Sequence, residues 1–135
     1  MSNRSVSTRF FETYGQRHDV EGCRPLFADN AMINTSTAPV PLNFEAYREV
    51  GQAFLNGFAD LNVEILDQFE AGDRVATRVA WSGTHTGELQ GIPPMGRSFR
   101  GEAIVIDRVA DGKIQERWDV SNMLSMMQQL GVIPS

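Results

Sequence analysis

Cysteine and histidine are scarce in this sequence: Cys23 stands alone, and His18 and His85 are the only imidazoles. A single thiol excludes an internal disulfide and is consistent with a reducing compartment. Cys23 reads as a small buried apolar residue. Two histidines and one cysteine without ligand spacing give no recognisable metal site, so no metal is expected. Basic clusters are also missing. The chain has 12 Lys+Arg against 17 Asp+Glu, a net charge of −5, which excludes the basic footprint of a nucleic-acid binder and disfavours an anionic membrane surface. No run approaches the ~18 apolar residues of a membrane span, and the opening MSNRSVSTRFFETYG lacks the apolar centre of a signal peptide. A cytoplasmic protein is expected.

What the sequence does contain is an ordinary globular composition, 41% apolar and 21% charged over 135 residues, enough for one domain over 1–135 and too little for two. Val6, Phe10 and Tyr14, spaced by four with Phe11 beside them, predict an amphipathic helix. Val20, Cys23 and Leu26–Phe27 suggest a second short helical piece with Pro25 near its start. A short strand at 31–35 and a proline-bearing loop at 36–42 follow. Phe44, Tyr47, Val50, Phe54, Leu55 and Phe58 mark a firm helix with Asn43 as its N-cap. The period then changes to alternation. Leu61, Val63, Ile65 and Phe69 share one strand face, and Val75, Thr77, Val79, Trp81, Gly83 and His85 share a face of the next strand. GIPPMGR lies in an irregular segment, 87–97, that has no phosphate-loop arrangement. A strand at 99–109, apolar on both faces, is suited to helices on one side and a second copy of the chain on the other. Asp111–Gly112 predicts a type I′ hairpin into a strand at 114–120, and a last helix ends at Gly131. Helices first and an antiparallel meander afterwards make the fold class α+β.

The hairpin also predicts faces. A regular two-residue loop pairs Asp107 with Glu116, Val105 with Trp118 and Ala103 with Val120, and places Ile104 opposite Asp119 with Glu102 diagonal to it. The Trp118 side is the more apolar and is expected to face the core, with Asn122 joining it if the strand runs that far. One bulge would exchange the face of Asp119. His85, sharing parity with Val79 and Trp81, is expected to point inward, either to polarise a substrate carbonyl or as a satisfied structural histidine. Tyr14, Tyr47 and Asn34 could present polar groups to a pocket, although core packing explains both tyrosines equally well.

Three stretches, GTHTGELQGIPPMGR at 83–97, ADGKIQERWDVSNM at 110–123 and MMQQLGVIP at 126–134, in this order over nearly the whole chain, resemble the SnoaL-like polyketide cyclases of the nuclear transport factor 2-like superfamily. The resemblance implies a cone, a curved antiparallel sheet wrapped around the N-terminal helices (an α+β roll), with a pocket at its open end. It further implies cofactor-independent acid/base chemistry, an intramolecular aldol ring closure or a related lyase or isomerase step on an apolar carbonyl-bearing molecule. On that basis Asp119 and His85 are the catalytic candidates, and Trp118, Asn122, Tyr14, Asn34, Tyr47 and Trp81 the substrate-binding ones. Expected partners are an apolar small molecule and a second copy in a homodimer. The chain departs from its relatives in having Asn122 where a second Asp is expected after the Trp. Asn cannot exchange protons, so a non-catalytic ligand-binding or dimerisation module of the same fold stands as the alternative. A pocket carboxylate within reach of His85 would favour an enzyme; a pocket without one would favour the module.

Overall fold

A computed structural model describes residues 2–134. In chain order the elements are helix α1 (Asn3–Gly15), a 3₁₀ helix (Glu21–Leu26), strand β1 (Phe27–Thr35), helix α2 (Phe44–Gly57), strands β2 (Asn62–Ala71), β3 (Arg74–Thr84), β4 (Ser98–Ala110) and β5 (Lys113–Ser121), and helix α3 (Met123–Leu130). The strands form one sheet in the order β1-β5-β4-β3-β2. Every neighbouring pair is antiparallel except β1 with β5, which is parallel. The α+β class is therefore as expected. No helix among the described residues is long and apolar enough to cross a membrane.

Helix boundaries follow local chemistry. The Asn43 side chain accepts the Ala46 N–H at 2.9 Å and starts α2, while Gly131 takes φ +81° and ends α3, a left-handed turn that glycine adopts without a Cβ clash. Asp111 and Gly112 both have positive φ, +56° and +72°, as a type I′ turn requires. Pro25 sits in the 3₁₀ helix rather than at its start. The first strand is longer than the sequence pattern indicates, because pairing with β5 begins at Phe27.

Two bulges change the expected faces. In β2 the register shifts between Ile65 and Asp67, so Val63 is buried while Phe69 is 68% exposed, instead of sharing its face. In the hairpin the register shifts between Arg108 and Val109, which leaves Gln115 without a partner. Beyond that point Asp107 pairs with Arg117, Val105 with Asp119 and Ala103 with Ser121. The expected pairs Asp107–Glu116, Val105–Trp118 and Ala103–Val120 are therefore incorrect. Because a shift of one residue moves every following side chain to the other face, Arg117 and Asp119 turn inward and Trp118 and Val120 turn out.

The inner face runs in rows across the strands. Ile33, Arg117, Asp107 and Val75 form one, and Thr35, Asp119, Val105 and Thr77 the next. Helix α1 covers the first row with Val6, Phe10 and Phe11. A second core, Phe58, Leu61, Leu89, Phe99 and Leu130, fills the end of the molecule beneath α3.

Candidate functional site

Between the inner face of the sheet and helices α1 and α2 lies a cavity of about 120 Å³, with about 910 Å³ of atom-free space once its open mouth is counted. Its walls are apolar: Phe10, Phe11, Phe44, Phe54 and Trp81 contribute rings, and Val63, Val79 and Val105 contribute aliphatic surface. The amphipathic spacing of α1 and α2 aims the phenylalanines inward, and the alternation of β2, β3 and β4 supplies the valines and Trp81. A concave, largely apolar site with a few converging polar groups is the usual form of a small-molecule pocket.

The polar groups converge on two adjacent rows of the sheet. Asp119 lies on the cavity wall, half-buried, and its Oδ2 accepts from the Tyr47 hydroxyl at 3.4 Å. The Tyr47 oxygen in turn accepts from Nη1 of Arg117 at 3.2 Å. Arg117 is fully buried. Its Nε donates to Asp107 Oδ1 at 2.7 Å and its Nη2 to Oδ2 at 2.9 Å, where the Ser7 hydroxyl also donates at 2.8 Å. Three hydrogen bonds and the face of Phe10, 3.8 Å below the guanidinium carbon, hold this cation in an apolar core.

These surroundings set the protonation states. Burial raises the Asp119 carboxyl above the ordinary carboxylate range; Arg117 and the Tyr47 hydrogen bond pull it back, and Asp107 adds to the rise. The second carboxylate acting on Asp119 is thus Asp107, not Glu102, which faces outward and pairs with Arg78 at 2.7 Å. Burial also raises the phenols of Tyr14 and Tyr47. The Cys23 thiol is pushed up to about 12, chiefly by burial, so this cavity-lining sulfur stays protonated near neutral pH.

Of the residues named from the sequence, Asp119, Tyr14, Tyr47 and Trp81 line the cavity. Tyr14 donates to the Gly51 carbonyl at 2.9 Å. The others lie elsewhere. Trp118, expected to face the core, is on the outer side of the sheet under the guanidinium of Arg74, 5.1 Å from the ring centroid. Asn34 neighbours it in the parallel pair and donates to Glu116 Oε2 and the Arg117 carbonyl. Asn122 is exposed, and its side chain accepts the Ser125 N–H to cap α3. Since β5 ends at Ser121, the absence of a second Asp at this position removes no carboxylate from the cavity.

His85 does point inward, but into the second core. It is fully buried, 5.5 Å from the Phe58 ring, and does not line the cavity. Its Nδ1 accepts the Met95 N–H at 3.2 Å, while its backbone holds Arg97 and Gly96. The imidazole therefore pins the 86–97 loop to the end of β3. We expect His85→Ala to lower unfolding free energy by about 3 kcal/mol, in the range for emptying a large buried side chain. Urea melts check this, and a variant as stable as the natural chain would make the buried imidazole dispensable to the fold. Among the described residues no group of three His, Cys, Asp or Glu is arranged to hold a metal ion.

Arg117 and Ser7 were not visible as site residues, because a regular hairpin directs Arg117 outward. The pattern around Gln115 carries no bulge signal, and only the inward carboxylate Asp107, which needs a buried cation, hinted at such a partner.

Known proteins share this architecture. A profile of the SnoaL-like polyketide cyclase family matches residues 5–130. Aklanonic acid methyl ester cyclase DnrD of Streptomyces peucetius is 38% identical over 72 residues, 53% of this chain and 50% of that protein, so the match spans about half the length of this curated relative. IdmH of Streptomyces antibioticus, proposed as a polyketide cyclase, superposes with a TM-score of 0.85 at 32% identity over 97% of this chain and 99% of its own. AclR of Streptomyces galilaeus, proposed as a hydroxylase, superposes at 0.88 with 25% identity over 98% and 83%. With its matched residues spanning the sheet, the helices and the cavity between them, the chain belongs to the SnoaL-like polyketide cyclase family.

Proposed function

We propose that this protein closes a ring by intramolecular aldol condensation on an apolar polyketide ester, with Asp119 as the acid/base. The observation that carries this reading is one carboxylate, raised by burial, on the wall of an otherwise largely apolar cavity. A base with a pKa lifted toward neutrality suits removal of a proton from carbon flanked by carbonyls. The substrate's own carbonyls acidify that C–H bond, so the step calls for no cofactor. The electron pair moves onto the carbonyl oxygen, the enolate carbon then attacks a second carbonyl to form the C–C bond, and Asp119 returns its proton to the new alkoxide. Aromatic walls recognise a flat, unsaturated skeleton by area and stacking. The binding-module alternative loses its main support, since Asn122 is a helix cap. The test is turnover of aklanonic acid methyl ester, the ester named for DnrD. Ring closure by the natural chain and a loss of at least about 10²-fold in Asp119→Asn is the expected result; tight binding without conversion by either would leave a binding module.

We also propose that residues 1–135 are one domain working in the reducing cytoplasm, where the buried lone Cys23 has no disulfide to form. A second copy is proposed to cover the outer face of the sheet. There Ile104 and Val120, directly paired across β4 and β5, are 52% and 66% exposed, an apolar surface that association would remove from water. Light scattering at micromolar concentration should give twice the mass of one chain, and Ile104→Glu should halve it. A monomeric mass for the natural chain would contradict this interface.

A further inference from the structure

The Arg117 guanidinium has more to do than neutralise Asp107. Its Nε and Nη2 are consumed by the bidentate pair with that carboxylate, and Nη1 reaches past it to the Tyr47 oxygen. A phenol whose oxygen already accepts from a fixed cation has its own O–H steered elsewhere. Here the hydrogen points at Asp119 Oδ2, 3.4 Å away, a long bond that leaves room for exchange. Tyr47 and Asp119 both line the cavity, whereas Asp107 does not.

We propose that Tyr47 is a catalytic hydrogen-bond donor, set by Arg117 as a positioning residue, which serves Asp119 at rest and the substrate's enolate oxygen during the reaction. The inference rests on Asp119 being the acid/base. While Asp119 is ionised, Tyr47 donates to it and holds its carboxylate in one orientation. Once Asp119 has taken the proton from carbon, its neutral carboxyl accepts from the phenol only weakly, and negative charge has moved to the substrate's carbonyl oxygen. The Tyr47 O–H then turns to that oxygen. Tyr47 keeps its proton throughout, since burial raises its phenol well beyond neutral pH; it moves a hydrogen bond, not a proton. Donors fixed in place before charge develops act most strongly where water is excluded, and Arg117, immobilised by Asp107, Ser7 and the Phe10 face, supplies that fixity.

The test combines kinetics on aklanonic acid methyl ester with ¹³C titration of the Asp119 carboxyl, which needs no substrate. Tyr47→Phe keeps the ring and removes only the hydroxyl. It should lower kcat about 10²-fold with KM little changed, and move the Asp119 titration upward, because a bond favouring the ionised form is gone. Arg117→Lys retains a cation against Asp107 yet cannot also fork to Tyr47. It should shift both readouts in the same direction, and the double variant should be no slower than Tyr47→Phe alone. A merely structural Tyr47 would leave kcat and the titration unmoved, and that result overturns the proposal. Additive losses in the double variant would overturn the role of Arg117. Should Asp119→Asn keep full activity, the acid/base reading itself falls; an inactive Asp119→Asn beside a fully active Tyr47→Phe sinks this inference alone.

Discussion

Asp119→Asn is expected to lower kcat for ring closure by about 10²–10⁴-fold, the range over which a positioned general acid or base acts, and to raise the melting temperature at neutral pH. The amide preserves the shape and still accepts from Tyr47, so binding should change little; what it cannot do is take a proton. The stability gain follows from the sign of the shift. Burial lifts the Asp119 carboxyl in the folded chain above its unfolded value, so the native state holds this proton more tightly than the unfolded state. The associated stability is fully present below the unfolded carboxylate range and is lost as pH rises through the folded value. At neutral pH an ionised Asp119 is therefore a burden on the fold, a cost that the proposed acid/base role would account for. The natural chain's activity should rise with pH along an acid limb lying above the ordinary carboxylate position, since only the ionised form can act as the base. A limb at the ordinary position, or wild-type turnover by Asp119→Asn, would remove Asp119 from this role. A lower melting temperature in the variant would mean that Arg117's attraction outweighs desolvation.

The parts of this molecule legible from sequence were those governed by short-range rules. The Asp111–Gly112 turn, the Asn43 cap and the Gly131 stop each depend on one or two residues, and each is where local chemistry places it. Alternation in β3 located Val75, Thr77, Val79 and Trp81 on one face, with His85 continuing it just past the strand's end, and parity held because β3 pairs with β4 without a shift. Parity failed where a single extra residue entered the ladder. Gln115 has no feature that marks a bulge, yet its insertion decides that Arg117 and Asp119, rather than Glu116 and Trp118, share the inner face with Asp107. The RWDV run made Asp119 a candidate through the family resemblance before its face could be assigned from pairing, and the cavity wall is where it lies. His85 shows a different limit. Its direction could be read from the strand, but which of two apolar clusters it entered depended on Phe58, Leu89 and Phe99 meeting at one end of the sheet, a long-range packing matter that alternation does not encode. The parallel pairing of β1 with β5 is of the same kind, because it joins strands separated by α2 and by β2, β3 and β4.

The largest stability effect is expected at Arg117. Arg117→Met should cost about 3–5 kcal/mol, the penalty for leaving a buried partner charge uncompensated. Asp107 is 1% exposed and would keep only the Ser7 hydroxyl, while the Phe10 ring would lose the cation 3.8 Å away. Against a typical domain stability of about 5–15 kcal/mol, this is a large fraction, and a chain of this size should melt lower by roughly 4 °C for each kcal/mol lost. The informative control is Arg117→Met combined with Asp107→Leu. Methionine and leucine roughly fill the vacated volume, and replacing both members of a buried pair by apolar residues is often neutral or stabilising. The double variant should therefore recover most of the loss, since the damage in the single variant comes from the orphaned carboxylate rather than from a missing attraction. If the pair contributes little net stability, its retention in the core has to be explained by what its free Nη1 does at Tyr47. The recovered double variant should then be stable yet slow, with a kcat near that of Tyr47→Phe. Chemical melts and turnover on the same preparations separate the possibilities: a double variant as unstable as Arg117→Met makes the ion pair a structural clamp, and one both stable and fully active leaves Tyr47 independent of the guanidinium.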